Sequence, residues 1–334
     1  MMLRYIVKRS LRTIPQLFLL SIVAFIIIQL PPGDIVQFHF DRLRNAGVPF
    51  SEGTVQAFRR AYGLDRPLFV QYLIWMRNIL FRFDFGYSFF WMQPVDKVIV
   101  DRIPLTFALA LGSLLFTWAV GIPIGVFVAV KQYSVADYVL TSLSFVAMAV
   151  PPFLLATVLM YWASVKLGVN IVGMFSQEFQ GQSWSWAKFV DMLKHLWLPM
   201  VLVGVGGVPG MVRMLRATML DELHKQYVTV ARAKGLAEIT VLLRYPMRLA
   251  ISPIVSGFTW LLPWLFSGGF LVEMILSVPT ASQAMVTACF AQDMYLASSY
   301  VLITGALTSV SSMLSDFLLA ALDPRIRLGS EEVT

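Results

Sequence analysis

Catalysis and metal binding need side chains that exchange protons, attack carbon or hold an ion, and this sequence spreads such groups thinly. Its three histidines, His39, His195 and His224, lie far apart along the chain, and Cys289 is its single cysteine. One thiol closes no intramolecular disulfide and makes no thiolate cluster for a metal. No G-x-x-x-x-G-K-[ST] occurs, so ATP is not expected to bind this chain through a phosphate loop, and H-E-x-x-H is absent. No G-x-S-x-G occurs either, and Ser267-Gly268-Gly269 has no base near it in the same apolar run, which argues against serine hydrolysis. The expectation is a chain with no catalytic residue and no cofactor or metal of its own. Two features remain that could act on something: Glu273, the main carboxylate inside an apolar run, and a basic cluster over residues 213–248.

The elements that must position these groups are set by composition. Of 334 residues, 58% are hydrophobic and only 13% charged, against roughly 25% charged in a soluble globule. Such a chain is read as a membrane protein, and about 20 apolar residues are needed per crossing. Six runs fit: 14–30, 103–130, 138–165, 196–212, 249–278 and 296–322. The net charge of +7 could suggest nucleic acid. The positions of the basic residues point to inner loops instead, following the bias of Lys and Arg toward the cytoplasmic side.

Arg4, Lys8, Arg9 and Arg12 precede the first run, which is too long for a signal-peptide core and lacks a small-x-small cleavage site, so it is read as a retained helix with its start inside. Residues 31–101 mix charge with Gly and Pro and hold no spanning run; they are expected to form an extracytoplasmic subdomain. Pro151-Pro152 inside the third run predicts a kink that neighbouring helices can accommodate. Gly204, Gly206, Gly207 and Gly210 stripe the fourth run; close helix packing and a hinge are both open readings. The 213–248 loop is inside by charge and by parity. The connection over 279–295 has no Lys or Arg and is outside, and the basic tail after 323 is inside. The spans hold almost no ionisable groups, which disfavours a proton-coupled transporter.

Within the basic loop, residues 220–235 predict one helix. Leu220, Leu223, Tyr227 and Val230 recur at three- and four-residue spacing, Asp221 and Glu222 suit the positive end of its dipole, and Gly235 is a natural terminator. A second helix over 236–244 stops before Pro246. Such a hairpin can lie on lipid with its cations on phosphates, or insert its apolar side and Ala231 and Ala233 into a groove of a soluble partner.

The stretch from Tyr227 through Val230-Ala231-Arg232-Ala233-Lys234-Gly235 to Leu236 resembles the coupling-loop signature of permease subunits of ABC importers, in the dipeptide and oligopeptide class. Further matches cover almost the whole chain in order. They are Met2 to Arg9 with Leu30-Pro31-Pro32-Gly33-Asp34, then Tyr62 to Leu68 with Gln71-Tyr72, then Gly121-Ile122-Pro123-Ile124-Gly125, then Leu271-Val272-Glu273 with Pro279, and finally Leu322 to Arg327. Where the family loop commonly opens Glu-Ala-Ala the chain has Thr229-Val230-Ala231, and Thr280-Ala281-Ser282 stands in place of Gly-Leu-Gly.

The resemblance implies an all-α membrane fold of six transmembrane helices, laid out as 1–30 (N-terminus and first helix), 31–101 (extracytoplasmic subdomain), 102–323 (five-helix core with a coupling loop at 217–247) and 324–334 (tail). It also implies a bacterial or archaeal inner membrane with both termini cytoplasmic. The implied partners are a second, homologous permease in a heterodimer, two ABC ATPases carrying ATP and Mg, and an extracytoplasmic solute-binding protein. The chain itself would be a transport subunit rather than an enzyme, forming a path for peptides or similar small solutes. Tyr227, Val230, Ala231, Arg232, Ala233, Lys234 and Gly235 would couple to the ATPase: Val230 and Ala231 packed in its groove, Arg232 and Lys234 on its charges, Gly235 setting the angle between the helices. The alternative for Arg232 and Lys234 is contact with lipid phosphate. Glu273 is read either as a satisfied structural residue at the outer interface or as part of an outer gate or solute path, and 31–101 as a cover, a docking surface or folding support. The rival functions are an ion- or proton-coupled transporter and a passive channel.

Overall fold

The computed structural model describes residues 2–29, 40–41, 44–45, 51–61, 63–168, 172–179, 182–183, 185–256 and 269–322. These form two compact units, Met1–Pro104 with Thr280–Val310, and Leu105–Pro279 with Ser311–Thr334.

In the first unit, α1 (Met2–Gln29) lies against α3 (Leu68–Arg82), and α2 (Glu52–Ala61) precedes α3. The α1–α3 contact mixes polar and aromatic pairs: Ser21 Oγ is 2.8 Å from the Tyr72 hydroxyl, Gln29 donates to Gln71 Oε1 at 3.2 Å, and the Phe25 ring meets Tyr72 edge-on at 5.5 Å. A two-stranded antiparallel hairpin follows, β1 (Tyr87–Ser88) with β2 (Gln93–Pro94), pairing Tyr87 with Pro94 and Ser88 with Gln93. It leads into α4 (Val95–Val100). Asp293, between α14 (Ala281–Phe290) and α15 (Met294–Leu322), pins this hairpin by accepting from Ser88 Oγ at 2.5 Å and Phe90 N at 3.1 Å. Gly86 enters the hairpin at φ +102°, where a Cβ would strike the Tyr295 ring at 2.8 Å, so only glycine fits.

The second unit is built on α5 (Ile103–Val130) and the 38-residue α8 (Trp186–Leu223). Their contacts advance together along both chains: Gly112 faces Met200, Gly204 faces Ser113 and Phe116, Gly207 faces Thr117, Gly121 faces Met211 and Gly125 faces Leu215. The helices therefore run parallel. Added Cβ atoms at Gly204 and Gly125 would fall 2.7 Å from the Ser113 carbonyl oxygen and 2.8 Å from Leu215 Cβ, so glycine is what lets the backbones approach. Thr117 Oγ1 crosses this seam to Gly204 O at 2.7 Å. The glycine stripe thus serves packing at Gly204 and Gly207, and α8 stays helical through all four positions.

Between them, α6 (Val135–Ala149) and α7 (Pro152–Trp162) meet at Pro151. The expected kink is a break: the segments Val135–Ala149 and Pro152–Lys166 differ in direction by 85°. Two consecutive prolines remove two backbone donors at one place, which a single bent helix cannot absorb. A π-helical turn (Ala163–Leu167) closes the segment at Gly168. Leu105, Ala156, Leu196, Val203, Val272 and Leu276 bring α5, α7, α8 and α13 (Phe270–Ile275) into one core.

Among the described residues three helices are long and apolar enough to cross a bilayer, Val95–Val130, Trp186–Leu223 and Met294–Asp316, or four if the broken pair is one crossing; Thr13–Gln29 is apolar but shorter. Residues 257–268 of the fifth expected run lie outside the described residues. Among the described residues the architecture is a helical membrane fold with one hairpin of two-residue strands.

Candidate functional site

The loop that follows α8 is a small folded module. The expected single helix over 220–235 is in fact two. Residues 220–223 finish α8, the backbone turns at His224 and the extended Lys225, and α9 covers Gln226–Ala233. The apolar spacing of Leu220, Leu223 and Tyr227 suits one continuous helix, but Leu220 and Leu223 pack on the cluster where α5 and α8 end. Asp221 and Glu222 consequently sit in the last turn of α8, the negative end of its dipole, not at a helix start. Two side chains offset that placement. The Tyr227 hydroxyl donates to the Glu222 carboxylate, and His224 Nδ1 lies 2.7 Å from Leu220 O.

Helix α9 ends as expected. Gly235 takes φ +73°, its N–H meets Arg232 O at 2.9 Å, and the chain reverses into α10 (Glu238–Arg244), then α11 (Pro246–Ala250) and α12 (Ser252–Ser256). Nothing lies within 4 Å of where a Gly235 Cβ would be, so the constraint there is the left-handed backbone alone. Val228, Ala231 and Val241 form the buried centre, with Tyr227 and Tyr245 packed on it. On the other side of α10, Leu242 joins Ala129, Leu215, Met219, Ala250 and Ile254. The module is thereby fastened to the ends of α5 and α8.

This geometry re-sorts the sequence candidates. Val230 is 52% exposed, and Arg232, Ala233, Lys234 and Gly235 are exposed with it. Ala231 is only 3% exposed, so its methyl serves the module's own core and is not available to fill a groove elsewhere. Sequence reasoning passed over Val228, the residue that pairs with Ala231 in that core; three-residue spacing from Val228 to Ala231 was the signal. Arg232 is bound by a two-pronged contact to Glu238, at 2.6 and 3.1 Å, across the Gly235 turn. That pairing holds the Glu238 carboxyl below its ordinary range and raises the Arg232 guanidinium. Burial, and then the Glu222 carboxylate, push the Tyr227 phenol up to about 12.

Glu273 is far from this module in sequence and lies in α13, 3% exposed, its carboxylate near Gly269 and Val203. A second two-pronged ion pair joins other elements: Arg216 of α8 grips Asp137 of α6 through Nη2 at 2.9 Å and Nε at 3.2 Å. Asp137 also accepts from Tyr133 N and Thr141 Oγ1 and is 2% exposed. His195 stays with Asp191 on α8, and His39 is outside the described residues. Among the described residues no three His, Cys, Asp or Glu side chains gather as a metal site would require.

Long apolar helices that end on a compact, charged helical module define a multi-pass membrane protein. The sequence comparisons place it more closely: residues 121–328 match the family of binding-protein-dependent transport system inner membrane components, residues 2–110 match the N-terminal region of such membrane components, and the chain belongs to that family. It is 32% identical over 329 residues to the oligopeptide transport system permease protein AppB of Bacillus subtilis, covering 97% of this chain and 99% of that protein. It is 32% identical over 331 residues to a peptide transport system permease protein of Brucella melitensis, covering 98% and 99%. Against the oligopeptide permease OppB of Haemophilus influenzae it is 28% identical over 327 residues, covering 98% and 100%. The chain is thus an inner-membrane ABC importer permease.

Proposed function

We propose that this chain is one half of the translocation path of an ATP-driven peptide importer, with the module over residues 217–247 as the part gripped by an ATPase subunit. The solute class rests on the names of the relatives, which are oligopeptide and peptide permeases over nearly full length. In this reading a second related permease completes the path, two cytoplasmic ATPases hold ATP and Mg, and an external binding protein delivers peptide. Both termini and the module then face the cytoplasm.

One observation carries the coupling assignment. A left-handed Gly235 and a three-residue core make a rigid knob fused to the end of a 38-residue helix. A knob of that kind passes force along α8 without unfolding. Val230, Arg232, Ala233 and Lys234 form its outer face, and Tyr227, Ala231 and Gly235 hold its shape. The burial of Glu273 supports a structural part for that residue over a gate.

The test uses the assembled transporter in vesicles. Gly235→Val is expected to leave the subunits associated while peptide uptake per ATP hydrolysed falls. Undiminished peptide-stimulated uptake in that variant would refute the coupling role.

A further inference from the structure

A groove of about 180 Å³ opens between α6 and α8 in the second unit, lined by Thr141, Phe145, Met148, Pro209, Val212 and Arg213 among others. We propose that it holds an anionic phospholipid, with the phosphate on Arg213 and an acyl chain along Phe145, Met148, Pro209 and Val212.

The depth of Arg213 is the first reason. It is the first charge after the apolar run 196–212 of α8, nine residues past the midpoint of that run. At 1.5 Å per residue that is ~14 Å, close to half of the ~30 Å hydrocarbon layer. The guanidinium therefore sits where phosphates lie, in the leaflet that adjoins the α9–α10 module. Phe145, Met148, Pro209 and Val212 lie on the bilayer-centre side of it, since α6 runs antiparallel to α8: Asp137 at its start meets Arg216, and Pro152 just past its end lies against Gly206. Cationic pockets between spanning helices are a recognised setting for lipid headgroups.

Charge is the second reason. Two guanidiniums, Arg213 and Arg216, stand at this end of the groove. Arg216 is neutralised by Asp137. Two positive charges less one negative leave +1, which matches a single phosphodiester.

The third reason separates lipid from peptide. Every peptide unit carries one donor and one acceptor that must be paired when taken from water. The hydroxyl protons of the groove are already committed, Thr141 to Asp137 Oδ1 at 3.1 Å and Ser144 to Leu140 O at 2.8 Å. The inward part of the wall is Phe145, Met148, Pro209 and Val212, which suits methylenes.

The experiment places the full transporter in nanodiscs of phosphatidylcholine doped with phosphatidylglycerol bearing a photoreactive acyl chain. After irradiation, labelled positions are mapped by peptide mass spectrometry. Labelling is expected within 141–148 and 209–217. Unlabelled phosphatidylglycerol should compete and phosphatidylcholine should not, and Arg213→Gln should weaken labelling roughly fivefold, with Arg213→Lys restoring most of it. Equal labelling by a phosphatidylcholine probe, or indifference to Arg213→Gln in a transporter that still assembles, would overturn the proposal. So would displacement of the lipid by saturating tripeptide, which would assign the groove to the solute. None of these outcomes depends on ATP coupling, so the result is separate from the proposed function.

Discussion

The α5–α8 seam and the α9–α10 module both depend on glycine, for opposite reasons. At Gly204 the backbone conformation is ordinary helix and space is absent: a Cβ would stand 2.7 Å from both Ser113 O and Phe116 Cδ1. At Gly235 space is open and the conformation is the constraint, with φ +73°. The seam is specified by what touches it, the module by how its chain turns. At the seam glycines the helix pair has no room for a side chain, whereas the module is constrained at its corner and at its small core and leaves Val230, Arg232 and Lys234 exposed.

The seam is expected to be the more sensitive of the two regions to an added methyl. Gly204→Ala is expected to destabilise the protein by ~1–3 kcal/mol, because the opposing carbonyl belongs to a helix backbone that cannot move aside; the thermal midpoint of the detergent-purified chain would read this. Gly210→Ala, with nothing within 4 Å of the new methyl, should leave that midpoint unchanged or slightly raised. Equal losses at the two positions would show that propensity, not contact, governs α8.

At the corner, Gly235→Ala should cost ~1–2 kcal/mol, confined to the module and visible as faster amide exchange over residues 224–250 while α5 and α8 keep their protection. Gly235→Asn should cost less, since asparagine enters the left-handed region more readily. Loss of protection along α8 in Gly235→Ala would mean that the two regions are not separable.

Smaller effects lie at the polar contacts. Tyr227→Phe removes the bond to Glu222 and should cost about 1 kcal/mol. The Tyr227 phenol is raised in the fold from 10.0 to about 12. Its contribution is complete below pH 10 and is lost as pH rises through about 12, so an alkaline melting series should show a decline in that window that Tyr227→Phe lacks.

The smallest change is expected for Arg232→Gln, about 0–1 kcal/mol and weaker in high salt, because both partners of that pair are largely exposed. Glu238 is depressed in the fold, so its stabilising share is present above the ordinary glutamate range and fades as pH falls below it. A loss well above 1 kcal/mol at Arg232 that shrinks as salt is added would put the module's rigidity in the ion pair instead of the glycine corner.

Much of this was legible from residue order. Apolar runs located the long helices, and the stripe at Gly204 and Gly207 marked the seam because small residues have few other uses in a spanning helix. Gly235 read correctly as a terminator. The break before Gln226 did not, since Leu220, Leu223 and Tyr227 fit one helix as well as two and Lys225 carries no breaking signal. The same ambiguity hid Val228. Asp137 and Asp293 were not legible as anchors; their partners, Arg216 and the Ser88 hydroxyl, are 79 and 205 residues distant, and polar pairing at such separations leaves no local periodicity. The consecutive prolines gave the place of the α6–α7 bend but not its size, which depends on what packs around it.

The attachment of α8 sets how a strain at one end is felt at the other. Its glycine contacts with α5 run from Met200 to Leu215, and Met219, Leu220 and Leu223 carry the packing on into the cluster that holds Ala129. No free stretch of helix separates the seam from the module, so any shift of the module is taken up by α5 and α8 together.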